Sequence, residues 1–155
     1  MNKKILLSTL VASSLLLSAS ATAEDATGTA NFNLVYPLTV TEATAMEFGD
    51  VSIVTDGSCG VDFSGGTTGT LCVAGGATQA AGAFTVTGAN GAINVSVSGV
   101  DNTVAGVAFT PSVANASETI SGNTASINVA GNLDITAATA LAGTHALTYT
   151  LSVTY

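Results

Sequence analysis

Beyond position 4 the chain has no lysine and no arginine; Lys3 and Lys4 are the only two. All ten carboxylates, from Glu24 to Asp134, lie after them, together with one histidine, His145. A surface without cationic side chains cannot neutralise phosphates, so nucleic-acid binding is not expected. Attraction to anionic membranes is not expected either. Tryptophan is absent, aromatics are 5% of the chain, and Gln79 is the only glutamine. Lysine-specific cross-links and tryptic cleavage have no substrate after residue 4.

The first 23 residues read as a secretory leader. Lys3 and Lys4 form a basic start, Ile5 to Leu17 an apolar stretch, and Ala21-Thr22-Ala23 a small-residue cleavage site. The apolar run is shorter than the ~20 residues of a membrane span. The expected organisation is a signal peptide over 1–23, an N-terminal extension over 24–36 and a domain over 37–155. The mature chain is expected to be exported, with no membrane insertion.

Cys59 and Cys72 flank the run GVDFSGGTTGTL. In an exported protein such a pair most simply forms a disulfide across a hairpin or loop, contributing roughly 3 kcal/mol in the chain-entropy model. A metal site would need more ligands than two sulfurs and a distant histidine, and the spacing excludes a CxxC redox pair.

Periodicity of two dominates the rest. Ala26, Gly28, Ala30, Phe32 and Leu34 alternate with Thr27, Thr29, Asn31 and Asn33. Phe84 to Thr87, a turn over Gly88–Gly91, and Ile93, Val95 and Val97 read as a hairpin. Val104 to Thr110 reads as a strand stopped at Pro111, and Gly131-Asn132 as a turn between Ile127/Val129 and Leu133/Ile135. Leu147, Tyr149, Leu151, Val153 and Tyr155 share one face of a long last strand. Ala-rich stretches are broken before a helical stripe develops. Short strands separated by Gly/Asn turns predict an all-β fold, an antiparallel β-sandwich.

Catalytic chemistry has little to build on. His145 is the only group poised near neutrality and has no nucleophile motif around it. The acids Asp50, Asp56, Asp62, Asp101 and Asp134 stand singly near turns, without the spacing of a calcium loop. Asn94-Val-Ser96 and Asn115-Ala-Ser117 match a glycosylation pattern that is common by chance. No enzyme, cofactor or metal is expected.

The order of several segments carries a resemblance. Tyr36-Pro37-Leu38-Thr39-Val40-Thr41, Met46-Glu47-Phe48-Gly49, Ala83 to Gly88, and Leu141-Ala142-Gly143-Thr144 leading to Leu151 to Tyr155 resemble a family of exported bacterial β-domains of unknown function. More loosely they are similar to spore-coat-U-like subunits of archaic chaperone–usher pili. The resemblance implies an immunoglobulin-like sandwich lacking one strand. It also implies a periplasmic chaperone, an outer-membrane usher, and a homopolymer on the cell surface. Each subunit would receive its neighbour's N-terminal extension as the missing strand. Ala26, Gly28, Ala30, Phe32 and Leu34 would then be the donor residues; Leu147, Tyr149, Leu151, Val153 and Tyr155 would form the acceptor wall.

Two alternatives stay open. Residues 24–36 can instead be the first strand of the chain's own sandwich. The protein can also be a self-complete secreted monomer, an adhesin or carbohydrate-binding sandwich, although sugar binding favours exposed aromatic patches. Ice or mineral binding would need a regular threonine array, which the irregular spacing of threonines does not suggest. Sortase-linked pili lack their lysine nucleophile here, and curli-like fibres their Gln/Asn-rich repeats.

Overall fold

Among the described residues the alternating segments become nine strands and no helix. The computed structural model describes residues 24–155, so the expected leader lies outside the described residues. The strands are β1 (Thr39–Thr44), β2 (Gly57–Val61), β3 (Thr67–Gly69), β4 (Gly82–Thr87), β5 (Gly91–Ser98), β6 (Val107–Val113), β7 (Ser117–Ile120), β8 (Thr124–Ile135) and β9 (Thr150–Thr154). All pairings are antiparallel, in two sheets arranged as a sandwich. Residues 34–155 form one compact unit. Residues 24–33, described by themselves, are exposed and form no strand, so the alternation from Ala26 to Leu34 does not produce a ladder within the chain.

The larger sheet runs β1-β4-β8-β2-β3, with β6 also paired to β8. Twelve-residue β8 is its spine. Leu133 stands between Cys59 of β2 and Phe109 of β6, and Val129 between Gly82 of β4 and Val113 of β6. Its inward side chains are buried: Val129, with ladder partners on both edges, is 0% exposed, and Ile127, packed between the sheets, 4%. The smaller sheet has only three strands, β7-β5-β9.

The structure corrects three local expectations. Gly131 and Asn132 are not a turn: β8 passes straight through, with Gly131 paired to both Val61 and Pro111. Glycine is there because side chains crowd it; a Cβ would come within 2.5 Å of Met46 Sδ and 2.9 Å of Phe48 Cζ. Second, β4 and β5 are not a hairpin. They belong to different sheets, and residues 88–90 cross between them. Both strands bury apolar side chains, Val86 on one and Ile93 and Val95 on the other, in one cluster, so packing face to face serves them better than pairing edge to edge. Third, Pro111 lies inside β6 rather than ending a strand. Because β6 pairs only with β8, it is an edge strand, which can dispense with a donor.

The core has two parts. Val86, Ile93, Val95, Ile120 and Ile127 form the part between the sheets. Cys59, Leu71, Phe109, Leu133 and Ile135 form the other, against which Met46, Phe48, Val51, Ile53, Leu147 and Tyr149 are half-buried. Cys59 and Cys72 form the expected disulfide, spanning the β2–β3 hairpin with a Cα–Cα distance of 4.9 Å. In the turn of that hairpin, Asp62 Oδ1 accepts hydrogen bonds from the N–H groups of Ser64 and Gly66, both at 2.8 Å.

Candidate functional site

Past the last ladder pairing of the smaller sheet, at Ser98 and Thr150, no strand of that sheet continues the cover over the second part of the core. What remains is a groove of about 800 Å³. Its apolar floor comes from Phe84 of β4, Val107 and Phe109 of β6, and Leu133 and Ile135 of β8. One wall is the segment Met46–Ile53, the other the segment Ala140–Tyr149.

Three aromatic contacts stiffen the groove. Phe109 meets Phe48 edge-on with ring centroids 5.9 Å apart, and meets Tyr149 at 5.8 Å. Tyr149 also meets Phe84 at 6.0 Å. Such edge-to-face pairs add to the stabilisation from burial alone. Tyr149 Oη is buried yet has no hydrogen-bond partner. Burial, and secondarily the charge of Glu42, raises its phenol pKa above the ordinary value. The carboxylate-bearing Glu42, Glu47 and Asp50 also line the groove, which gives it an anionic rim.

Two strand edges unpaired among the described residues border this region: β9 pairs only with β5, and β1 only with β4. Near the start of β1, Tyr155 Oη donates to the carbonyl oxygen of Tyr36 at 3.3 Å and accepts from Ala89 N–H at 2.7 Å. Toward the end of β1, Glu42 lines the same groove as Tyr149, just before β9. The two edges therefore run past each other in opposite directions along one seam, β1 in the larger sheet and β9 in the smaller. Neither supplies a ladder partner for the other.

The five residues of the last apolar face separate along this seam. Leu147 and Tyr149 line the groove but precede β9, which is shorter than the alternation suggests. Leu151 and Val153 pack on the core between the sheets. Tyr155, 57% exposed, closes the far end through its hydroxyl. Of the proposed donor residues, Phe32 is 81% and Leu34 87% exposed; Ala26, Gly28 and Ala30 are exposed as well. Of the residues that build most of the groove, Met46, Phe48 and Phe84 fell within segments that carried the resemblance but had no site role assigned, and Phe109, Leu133 and Ile135 carried no signal beyond being large and apolar.

His145 sits in the groove's outer wall, its Nε2 2.9 Å from the carbonyl oxygen of Leu141. Among the described residues no group of three or more His, Cys, Asp or Glu is placed to hold a metal ion. Several acids serve loops instead: Asp56 accepts from Ala137 N–H at 2.8 Å and Asp50 from Ala77 N–H at 3.2 Å. Hydrogen bonds from Thr103, side chain first and then backbone, hold the Asp101 pKa below its ordinary value.

The threonines are more ordered than their spacing in the chain suggests. Register aligns Thr39 with Thr87 and Thr124, and Thr41 with Thr85 and Ser126, in two exposed ranks across β1, β4 and β8. No family model, curated protein or solved structure matches the chain.

Proposed function

We propose that this protein is a structural subunit, a pilin, of a non-covalent bacterial surface fibre that supports adhesion or biofilm, assembled by strand exchange between copies. The observation that carries the reading is the seam: an apolar groove bordered by two open strand edges. An open edge offers unpaired N–H and C=O groups, and an added strand satisfies them while its alternate side chains fill the groove. The exposed extension carrying Phe32 and Leu34 has the complementary character. Burying each of these two side chains is worth roughly 1.5–3 kcal/mol.

In this reading the sandwich is immunoglobulin-like and becomes complete only with a neighbour's residues 24–36. Export through the periplasm, a chaperone that shields the groove and an outer-membrane usher belong to the same proposal. The anionic, lysine-free surface suits a fibre held by strand pairing rather than by side-chain cross-links.

Deleting Glu24–Leu34 tests it. Sheared surface material should run on SDS gels as a ladder without boiling and collapse to a monomer band with boiling. The deletion should abolish the ladder while leaving a monomer that an added Glu24–Tyr36 peptide stabilises. A ladder that survives the deletion overturns the reading. The segment Ala140–Tyr149 along the groove favours one rival, a self-complete secreted monomer, adhesin or carbohydrate-binding. A lone monomer band in both lanes would select it.

A further inference from the structure

The wall of the groove formed after β8 is held only at its ends. Among the described residues, no backbone–backbone hydrogen bond ties 141–147 to the rest of the chain. At one end Ala140 N–H donates to Thr136 O at 3.0 Å, and Thr136 N–H to Gly106 O at 2.8 Å. At the other, Asp101 N–H donates to Thr148 O at 2.8 Å. Between them the strap bonds to itself, through His145 Nε2 and Leu141 O. Gly143, at φ +153°, lets it turn there, and a Cβ on Gly143 would meet nothing but the His145 ring.

Apolar packing of Ala140, Leu147 and Tyr149 supplies the remaining hold. That packing is imperfect. The Tyr149 hydroxyl is buried without a partner, pressed so near Gly82 that a Cβ there would lie 2.5 Å from it. A segment with few hydrogen bonds and an unsatisfied buried group belongs to the low-stability end of a fold.

We propose that residues 141–146 are a displaceable strap. It lines the open side of the groove in the lone subunit and swings aside when a strand pairs with β9, which then lengthens back through Leu147. This rests on the strand-exchange reading above. The strap lines the groove with exposed residues, Leu141 among them at 70%, and lends no ladder, whereas an incoming strand supplies both apolar cover and ladder. Extension of β9 needs no change of register, because Leu147 and Tyr149 are already in phase with Leu151 and Val153, and a slip of one residue would reverse every side chain. The strap therefore competes with the donor for one place and sets the rate at which the donor enters.

His145 is the only histidine in the chain and so a single-residue reporter. The exported full-length mature chain, labelled at histidine, would be titrated with excess synthetic Glu24–Tyr36 peptide and followed by NMR and amide exchange. The expected result is that the imidazole signals lose the signature of the Nε2–Leu141 carbonyl bond as Leu147, Tyr149 and the β9 amides gain protection. The His145→Ala variant, which loses the internal bond, should capture peptide about fivefold faster, the factor that one net hydrogen bond is worth. Protection of β9 with an unmoved histidine signal would overturn the strap and leave strand exchange standing, as would slower capture by His145→Ala. Absence of capture in both proteins would overturn both.

Discussion

Where β5, β7 and β9 lie over the larger sheet, Val86, Ile93, Val95, Ile120 and Ile127 are all at most 4% exposed. Where Met46–Ile53 and Ala140–Tyr149 lie over it instead, the covering side chains are only half-buried and a groove remains. The floor is alike in both places: inward residues of β8, buried at every second position from Ile127 to Ile135. The difference lies in the cover. Strands satisfy their own backbone through a ladder and can press a continuous apolar face onto the floor, while irregular chain must leave some of its polar backbone to water. One half of this sandwich is thus a finished core, and the other is a core left partly open.

Truncating a side chain in each cover should affect the two halves unequally. Ile93→Ala, in the finished half, should cost about 4 kcal/mol, near the upper part of the range for a fully buried aliphatic. Leu147→Ala, in the strap half, should cost only about 1 kcal/mol, because the side chain is half-buried and its surroundings can relax. Urea titrations of the two variants measure the gap, and equal losses would mean that the strap is as integral as β5.

The disulfide belongs to the strap half, where Cys59 is part of the core. Replacing both cysteines by alanine should cost about 3 kcal/mol, from the freed loop of the unfolded chain. The loss should appear in equilibrium stability, and backbone NMR shifts of β5, β7 and β9 should stay in place. Shifts that spread to the smaller sheet would show the two halves to be one cooperative unit.

The smallest expected effect is at Tyr149. Removing its unpartnered hydroxyl with Tyr149→Phe should leave stability unchanged or raise it by up to about 1 kcal/mol. Its raised phenol pKa means that the folded state binds the proton more tightly than the unfolded state does. The associated stability is fully present below the ordinary tyrosine pKa of about 10 and is lost as pH rises through the higher folded value. Melting temperature should therefore fall more steeply above about pH 10 in the wild type than in Tyr149→Phe. Parallel curves would mean that the phenol is free to ionise in place.

Face assignments were legible from the chain itself. Ile93 and Val95, Ile127 and Val129, and Leu133 and Ile135 point inward as their alternation indicates. The Cys59–Cys72 pairing was legible too. Turns were less so, because glycine has two uses. At Gly131 it admits a methionine and two aromatic rings to the backbone, and at residues 88–90 the glycine-led link crosses the sandwich instead of folding back. The groove was the least legible part. Its floor residues come from β4, β6 and β8, and nothing local to Phe84, Phe109 or Leu133 marks them as neighbours.

Properties that need no partner follow from the residues alone: an anionic, lysine-free surface after residue 4, strands rather than helices, and the side of each strand that seeks burial. A period of two settles which face turns inward, since successive side chains point to opposite sides. It does not settle which strand lies alongside. Long-range folding is what sends β4 and β5 to different sheets, carries β8 unbroken through Gly131 and ends the smaller sheet at β9. Those outcomes depend on pairings between residues distant in the chain, and the groove exists because of where those pairings end.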